Sequence, residues 1–214
     1  MRILITAGGT REYIDPVRFI SNASSGRMGC ALAREALKAG HSVTLITAPT
    51  SRRRPQGAKI VEVETTAQMF KAVKQHFAKS DCLIMAAAVA DYTPLRPAKA
   101  KIKRESKALT LKLKPTPDIV RWAGTHKTNK QIVVGFALEE KDLRTQAEKK
   151  LRDKNLDMII ANTPAAINSP KSTVQIKTPA STWVKIKHTT KAAVGRRIVL
   201  QVENLLQCAK DSKA

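Results

Sequence analysis

The chain has 214 residues, 43% of them hydrophobic, which is enough for one substantial core, and 39 basic against 17 acidic residues leave a formal charge of +22. That charge attracts polyanions without saying which, while an aromatic content of 4% argues against a single-strand binder built on stacking platforms. No zinc-finger or RRM-type motif, signal-peptide pattern or apolar run of membrane-spanning length is present, so a soluble, cytoplasmic chain that does not engage a membrane is expected. Cys30, Cys82 and Cys208 are odd in number and widely spaced, which suggests buried thiols rather than a disulfide framework or a CxxC pair.

In chain order, the short run ILIT (3–6) passes into a long polar loop, AGGTREYIDPVRFISNASSGRMG, before helical periodicity begins at Met28, Leu32 and Ala36 and closes at Ala39-Gly40. Further aliphatic runs follow at 43–47, 60–63, 82–90, 132–138 and 158–161, each bounded by turn residues as buried parallel strands should be. Helical patterns lie between them. Met69, Val73 and Phe77 follow the cap candidates Thr65 and Thr66, Leu143, Ala147 and Leu151 mark another helix, and Val194, Ile198, Val202 and Leu205 a long terminal one. The expected fold is therefore a single α/β domain over 1–214, a Rossmann-like, doubly wound, mostly parallel sheet. Two segments depart from the alternation. Residues 91–115 read as a basic, proline-bearing arm returning as a strand with Leu109, Leu111 and Leu113 on one face, and residues 163–190, with Pro164, Pro170 and Pro179, as a small C-terminal β-hairpin around VQIK and WVKIK.

The first loop lacks both GxGxxG and GK[ST], which disfavours an NAD(P)-binding reductase and a P-loop. Gly8, Gly9 and Gly26 allow close backbone approach, and Thr10, Asn22, Ser24 and Ser25 supply short hydrogen-bonding groups. SSGRMG opening a helix suits a phosphate or carboxylate at the helix N-terminus, unless Ser24 or Ser25 merely caps it. AAAVADY (86–92) leaves a strand through small residues and ends at Asp91, where a crevice belongs in an open α/β sheet. Lys101 and Lys103 share one side of the extended arm, and Lys150 and Lys154 share one helix face, where they repel unless an anion or an acid such as Glu148 or Asp153 lies between them.

Taken in order, GGTREYIDPVRFISNASSGRMG, AAAVADY, KIKR (101–104), PTPDIV (115–120), VVGFALEE (133–140) and KNLDMIIAN (154–162) resemble the successive motifs of bacterial phosphopantothenate-cysteine ligase, nearly throughout to residue 162 and weakly in the terminal helix. The resemblance implies ligation of 4'-phosphopantothenate with L-cysteine in coenzyme A biosynthesis, driven by CTP through an acyl cytidylate. It implies that Asn22 contacts that intermediate beside the backbone of Ala87 and Ala88, with Gly8, Gly9, Thr10, Ser24, Ser25 and Gly26 around the substrate. Asp91 would face the cytosine, Lys101 the phosphates and the cysteine step, and Pro117, Asp118, Ile119, Val120, Phe136, Lys150 and Lys154 would line the nucleotide site. Magnesium would arrive with the triphosphate, no FMN is expected, and a homodimer and a separate flavin-dependent decarboxylase partner are implied. GFALEE stands where the family commonly has GFAAET, and AINSPKSTV (166–174) replaces an acidic stretch, so Leu138, Glu140 and that loop are the departures. The alternative reading is a nucleic-acid-binding module on a nucleotide-binding scaffold that has lost catalysis.

Overall fold

β1 (Arg2–Ala7) is buried from Ile3 onward because helices cover both of its faces. In the computed structural model, which describes residues 1–166, 169 and 171–211, Ile3, Ile5 and Ala7 enter one apolar layer and Leu4 the other. The same division by alternate residues recurs along every central strand, which is why those strands read as continuous aliphatic runs.

A short antiparallel ribbon of β2 (Arg11–Tyr13) and β3 (Phe19–Ser21) interrupts the first loop, before α1 (Arg27–Lys38), β4 (Ser42–Thr47), β5 (Lys59–Glu62) and α2 (Thr66–Phe77). β6 (Cys82–Met85) is followed by β7 (Tyr92–Pro94), β8 (Leu113–Pro115), α3 (Ile119–His126), β9 (Ile132–Leu138), α4 (Leu143–Asp153) and β10 (Met158–Asn162). A 3-10 turn at Pro164–Ala166 leads to β11 (Lys171–Lys177), β12 (Val184–Thr190) and α5 (Lys191–Asp211). The main sheet has the order β12-β11-β10-β9-β6-β1-β4-β5, and β5, β4, β1, β6, β9 and β10 run parallel. Helices α1 and α5 contribute Leu32, Val194 and Ile198 to one layer, while α2, α3 and α4 contribute Met69, Ile119 and Leu151 to the other. The chain builds outward from β1 to β5 and returns to β6 on the other side of β1. The switch point at β1 and β6 is where an open α/β sheet has its crevice.

Local chemistry explains the element ends. Thr65 caps α2 in a capping box with Gln68, while Thr66, the other cap candidate, is buried as the first helical residue. Gly40 takes φ 80° just after α1, which lets the chain turn directly into β4. Cys30 and Cys82 are buried thiols as expected, and Cys208 is exposed on α5. No helix among the described residues is long and apolar enough to cross a membrane.

Two expectations change and a third is extended. The run 82–90 is strand only to Met85, because residues 86–90 turn their hydrogen bonds toward the first loop. The expected hairpin forms as β11 and β12, and β11 also pairs antiparallel with β10 and so extends the main sheet, burying Val174 and Ile176 where the edge of β10 would otherwise face solvent. Trp183 precedes its second strand, and its indole donates to Glu148 at 2.7 Å. In the arm only the two ends are strand, β7 and β8 paired with each other, and Leu109, Leu111 and Leu113 all remain exposed. Pro170, and Ile167 and Asn168 of the divergent loop, lie outside the described residues.

Gly29 sets the distance between α1 and β1, since a Cβ there would fall 2.5 Å from Ala7 Cβ and 2.8 Å from the Thr6 carbonyl oxygen. Gly29→Ala is expected to lower unfolding free energy by about 1–3 kcal/mol despite the better helix propensity of alanine. Urea denaturation checks this, and an unchanged midpoint would show that α1 can shift outward at no cost.

Candidate active site

A cavity of about 770 Å³ opens at the carboxyl ends of β1, β6 and β9. Its floor is the segment from Ala86 to Val89, which the first ten residues hold away from the sheet. The Ala87 N–H donates to Thr6 Oγ1 at 3.1 Å, the Ala88 N–H to the Gly8 carbonyl at 2.9 Å, and the Ala90 N–H to Thr10 Oγ1 at 2.9 Å. These three amides are thus engaged within the protein rather than presented to the cavity. Gly8, Gly9 and Thr10 stand behind this floor and do not line the cavity. Gly8 has φ 84° and lies against the Ala48 carbonyl, Gly9 bridges Ala88, and buried Thr10 shares a hydrogen bond with Thr66 at 3.1 Å.

Asn22 lines the cavity with its amide turned into the floor. Its Nδ2 donates to the carbonyls of Val89 at 3.0 Å and Ala88 at 3.3 Å, which leaves Oδ1 as the acceptor of that side chain. Beside it α1 begins at Gly26, φ 69°, with no side-chain cap and no acid in its first turn. Neither Ser24 nor Ser25 caps the helix: Ser24 Oγ accepts from the Gly26 N–H at 3.4 Å, and the Ser25 carbonyl accepts from Thr50 at 2.8 Å. The first-turn amides and the positive end of the helix dipole therefore face the cavity together with Ser24, Ser25, Gly26 and Arg27.

The opposite wall comes from α3 and α4. Pro117, Asp118, Ile119, Val120, Phe136, Leu138, Lys150 and Lys154 line it, and Asp91 and Thr116 lie between the walls. Asp118 caps α3 by accepting from the Arg121 N–H at 3.0 Å and pairs with Lys154 at 2.9 Å. Burial pushes the Asp118 carboxyl up, but the Lys154 hydrogen bond, the Arg121 amide and the two positive charges outweigh it and leave the carboxyl below its ordinary value. Lys150 pairs with Glu139 at 2.6 Å. The two lysines do share a helix face, yet their acids are Asp118 and Glu139 rather than Glu148 or Asp153, because the strand and helix across the cavity supply them. Leu138 forms part of the wall, whereas Glu140 is exposed outside it.

Lys101 stands outside the cavity of its own chain. The arm is pinned at the residue between Lys101 and Lys103: the Ile102 N–H donates to Asp15 Oδ2 at 3.1 Å, and its carbonyl accepts from Arg18 at 2.7 Å. Asp15 is buried, pairs with Arg18 and accepts the N–H groups of Val17 and Arg18 at 2.8 Å each. The Arg18 hydrogen bond chiefly holds its carboxyl far below the usual carboxylate range. Sequence reasoning passed over Asp15 and Arg18, whose i, i+3 spacing in DPVR was the available signal, and over Arg27 and Lys191, which also line the cavity.

The family described as DFP, DNA/pantothenate metabolism flavoprotein C-terminal domain, matches residues 1–206. The chain belongs to this family. DFP membership agrees with the resemblance to phosphopantothenate-cysteine ligase carried by the six motifs, and it extends beyond residue 162 into α5. The chain is 47% identical over 161 residues to the coenzyme A biosynthesis bifunctional protein CoaBC of Bacillus subtilis, covering 75% of this chain and 39% of that protein. It is 49% identical over 162 residues to a cysteine/cysteine sulfinic acid decarboxylase from an unknown prokaryotic organism, covering 75% and 45%. The chain thus spans less than half the length of these curated relatives. Among solved structures, the C-terminal domain of the bifunctional protein CoaBC superposes with a TM-score of 0.83 at 38% identity, over 96% of this chain and 95% of that one.

The arm's anchor is testable without turnover. Asp15 stabilises the docked arm as a carboxylate, so its contribution is present above the unfolded value near pH ~4 and is lost only as pH falls through the depressed folded value. Asp15→Asn is expected to speed proteolytic cleavage within residues 94–107 at neutral pH, while the wild-type arm stays protected down to about pH 4. Equal cleavage of the two proteins would show that the arm is held elsewhere.

Proposed function

We propose that this chain acts as one domain that joins 4'-phosphopantothenate to L-cysteine, with CTP as the activating nucleotide. The observation that carries the proposal is the cavity at the β1/β6 switch point, where Asn22, the α1 N-terminus, Asp91, Phe136, Lys150 and Lys154 line one space. In the first step the pantothenate carboxylate attacks the α-phosphorus of CTP, the bond to the β-phosphate oxygen breaks and pyrophosphate leaves. In the second, the cysteine amine attacks the acyl carbon of the resulting acyl cytidylate, the bond to the phosphate oxygen of CMP breaks, and the nitrogen loses a proton to give the amide.

The residues divide this work by chemistry. The α1 amides suit an anionic phosphate. Asp91 can accept from the cytosine amine, and Phe136 offers an apolar face. Asn22 acts chiefly through the floor, since its amide fixes the carbonyls of Ala88 and Val89 against which the intermediate would lie. Magnesium enters in this scheme as the nucleotide complex. Lys101, outside its own cavity, reaches the phosphates when the arm swings or when the arm of a second copy serves this site.

The second possibility ties the site to assembly. Leu109, Leu111 and Leu113 are 60%, 37% and 43% exposed, and Val17, Phe19, Tyr92 and Leu95 are exposed as well, an apolar set concentrated on the arm and the β2–β3 ribbon. A homodimer that covers this surface is the proposed state, in the cytoplasm, with a flavin-dependent decarboxylase acting next on the product, either on a separate chain or joined to this one.

The deciding assay is pyrophosphate release from CTP in the presence of phosphopantothenate, followed by amide formation on adding cysteine. CTP should exceed ATP by orders of magnitude, because a wrong base leaves buried polar groups unmatched, an effect that reaches about 10⁴-fold in other sites. No release, together with tight and salt-sensitive DNA binding, would favour the nucleic-acid-binding alternative. Asn22→Asp places a carboxylate against two carbonyls, and a group left unsatisfied in this way costs about 1–3 kcal/mol, so kcat should fall by roughly ten- to a hundredfold. CTP affinity should change little, and wild-type turnover in that variant would remove Asn22 from the mechanism. Light scattering at micromolar concentration is expected to give twice the chain mass, and a monomer would overturn the dimer.

A further inference from the structure

β10 ends at the cavity with a side chain that the protein itself does not use. Ile159 and Ala161 enter the layer of α2, α3 and α4, while Met158 and Ile160 enter that of α1 and α5, so strand alternation sends Asn162 to the α1 and α5 side. The sheet fixes the backbone of this residue: Asn162 stands opposite Leu138 on β9, and its carbonyl accepts from the Glu139 N–H at 3.1 Å. On the other flank the antiparallel register, with Ala161 opposite Gln175, brings buried Val174 alongside. Asn162 is half-buried and lines the cavity with Leu138 and Val174.

Other polar side chains of the cavity are engaged within the protein. Asn22 donates to the carbonyls of Ala88 and Val89, the Thr116 hydroxyl to that of Ala90, and Lys150 and Lys154 pair with Glu139 and Asp118. Among the described residues nothing hydrogen-bonds the Asn162 carboxamide. Two donor hydrogens and an acceptor held between apolar neighbours take their hydrogen bonds from what enters the cavity.

A neutral amide is a poor seat for a phosphate, which prefers charged donors. It matches a neutral group that both donates and accepts, such as a hydroxyl or the edge of a base. Phe136 narrows the choice. It stands opposite Ile160, two residues before Leu138, and so shares a sheet face with Asn162. Its ring packs on the α1 and α5 layer and lines the cavity. A planar ring seated on Phe136 would carry its edge, or the sugar attached to it, toward Asn162.

We propose that Asn162 binds the nucleoside part of the activating nucleotide, through a sugar hydroxyl or the base edge, and so selects among nucleotides that carry the same triphosphate. The nucleotide in this assignment rests on the ligase reading.

The test is calorimetric titration of the full chain with CTP and magnesium, and with inorganic pyrophosphate and magnesium, for wild type, Asn162→Ala and Asn162→Asp. Asn162→Ala should weaken CTP binding about three- to tenfold, the range for one neutral hydrogen bond. Pyrophosphate affinity should stay within about twofold of wild type, because Asn162 does not hold the phosphates. Asn162→Asp keeps the shape but loses the donors and adds a negative charge near a triphosphate, so it should weaken CTP further than Asn162→Ala does. The carboxamide has no partner to lose, so the thermal midpoint of Asn162→Ala should lie within about 2 °C of wild type. A larger drop, with pyrophosphate weakened as much as CTP, would assign Asn162 to folding and overturn the site.

Analogues then locate the contact. Discrimination against 2'-deoxy- or 3'-deoxy-CTP that disappears in Asn162→Ala assigns the sugar, and discrimination against UTP that disappears assigns the base. CTP affinity in Asn162→Ala within about twofold of wild type would overturn the proposal, whether or not phosphopantothenate binding falls. CTP binding through Asn162 in a wild-type protein that forms no amide would keep the site and sink the ligase reading. Amide formation by wild type, with CTP affinity unchanged in Asn162→Ala, would do the reverse.

Discussion

The walls of the cavity all refer to the backbone of residues 86–90, and that backbone is held by hydroxyls and carbonyls from the first ten residues. Thr6, Gly8 and Thr10 take the N–H groups of Ala87, Ala88 and Ala90, and Asn22 takes the carbonyls of Ala88 and Val89 from the other side. A strand that simply continued past Met85 would satisfy the same groups with β1 or β9 and would close the crevice. Diverting them to the Thr6 and Thr10 hydroxyls and the Gly8 carbonyl opens it while keeping the N–H groups of Ala87, Ala88 and Ala90 hydrogen-bonded, as buried backbone held away from a sheet requires. Thr66 and Thr116 extend the arrangement, both donating to the Ala90 carbonyl, and so tie the starts of α2 and α3 to the same segment.

Electrostatics in the cavity follow from which element supplies each charge. Lys150 and Lys154 lie on one helix face and would repel alone, but β9 and the N-cap of α3 bring Glu139 and Asp118 against them. Their side chains are thereby positioned before any ligand arrives. The +22 charge of the whole chain is a separate matter, since much of it lies on exposed side chains such as those of the arm and the Arg53-Arg54 loop. Such charge draws in anions at long range and is screened within about 10 Å at ordinary salt, whereas the cavity cations act at contact.

The arm illustrates how a basic, proline-bearing segment can hold a shape without being regular structure. Its ends pair briefly as β7 and β8, and its middle is fixed by the Ile102 backbone between Asp15 and Arg18. Asp15 does this while buried because five hydrogen bonds, from Arg18, Val17 and Ile102, converge on its two oxygens. Hydrogen bonds to an ionised group are the strong kind, and they offset the loss of solvation here.

Much of the architecture was legible in the residues themselves. Aliphatic runs of four to nine residues alternating with 3.6-period patterns specify parallel strands covered on both faces, and the two glycines after ILIT mark where the chain leaves the sheet. The motifs singled out Asn22, Asp91, Asp118, Phe136, Lys150 and Lys154, and the fold brings these to one cavity. Gly8, Gly9 and Thr10 were legible as special but not in their place, because a glycine that admits a ligand and one that admits a neighbouring carbonyl have the same local sequence. Period-2 spacing placed Lys101 and Lys103 on one side of the arm, but nothing local says that Ile102 between them docks on Asp15. Local pattern determines which elements form, because it is set by propensity and burial of one face. The partners of charged and polar side chains come from distant elements, so the pairing of cations with acids was decided by the tertiary structure alone.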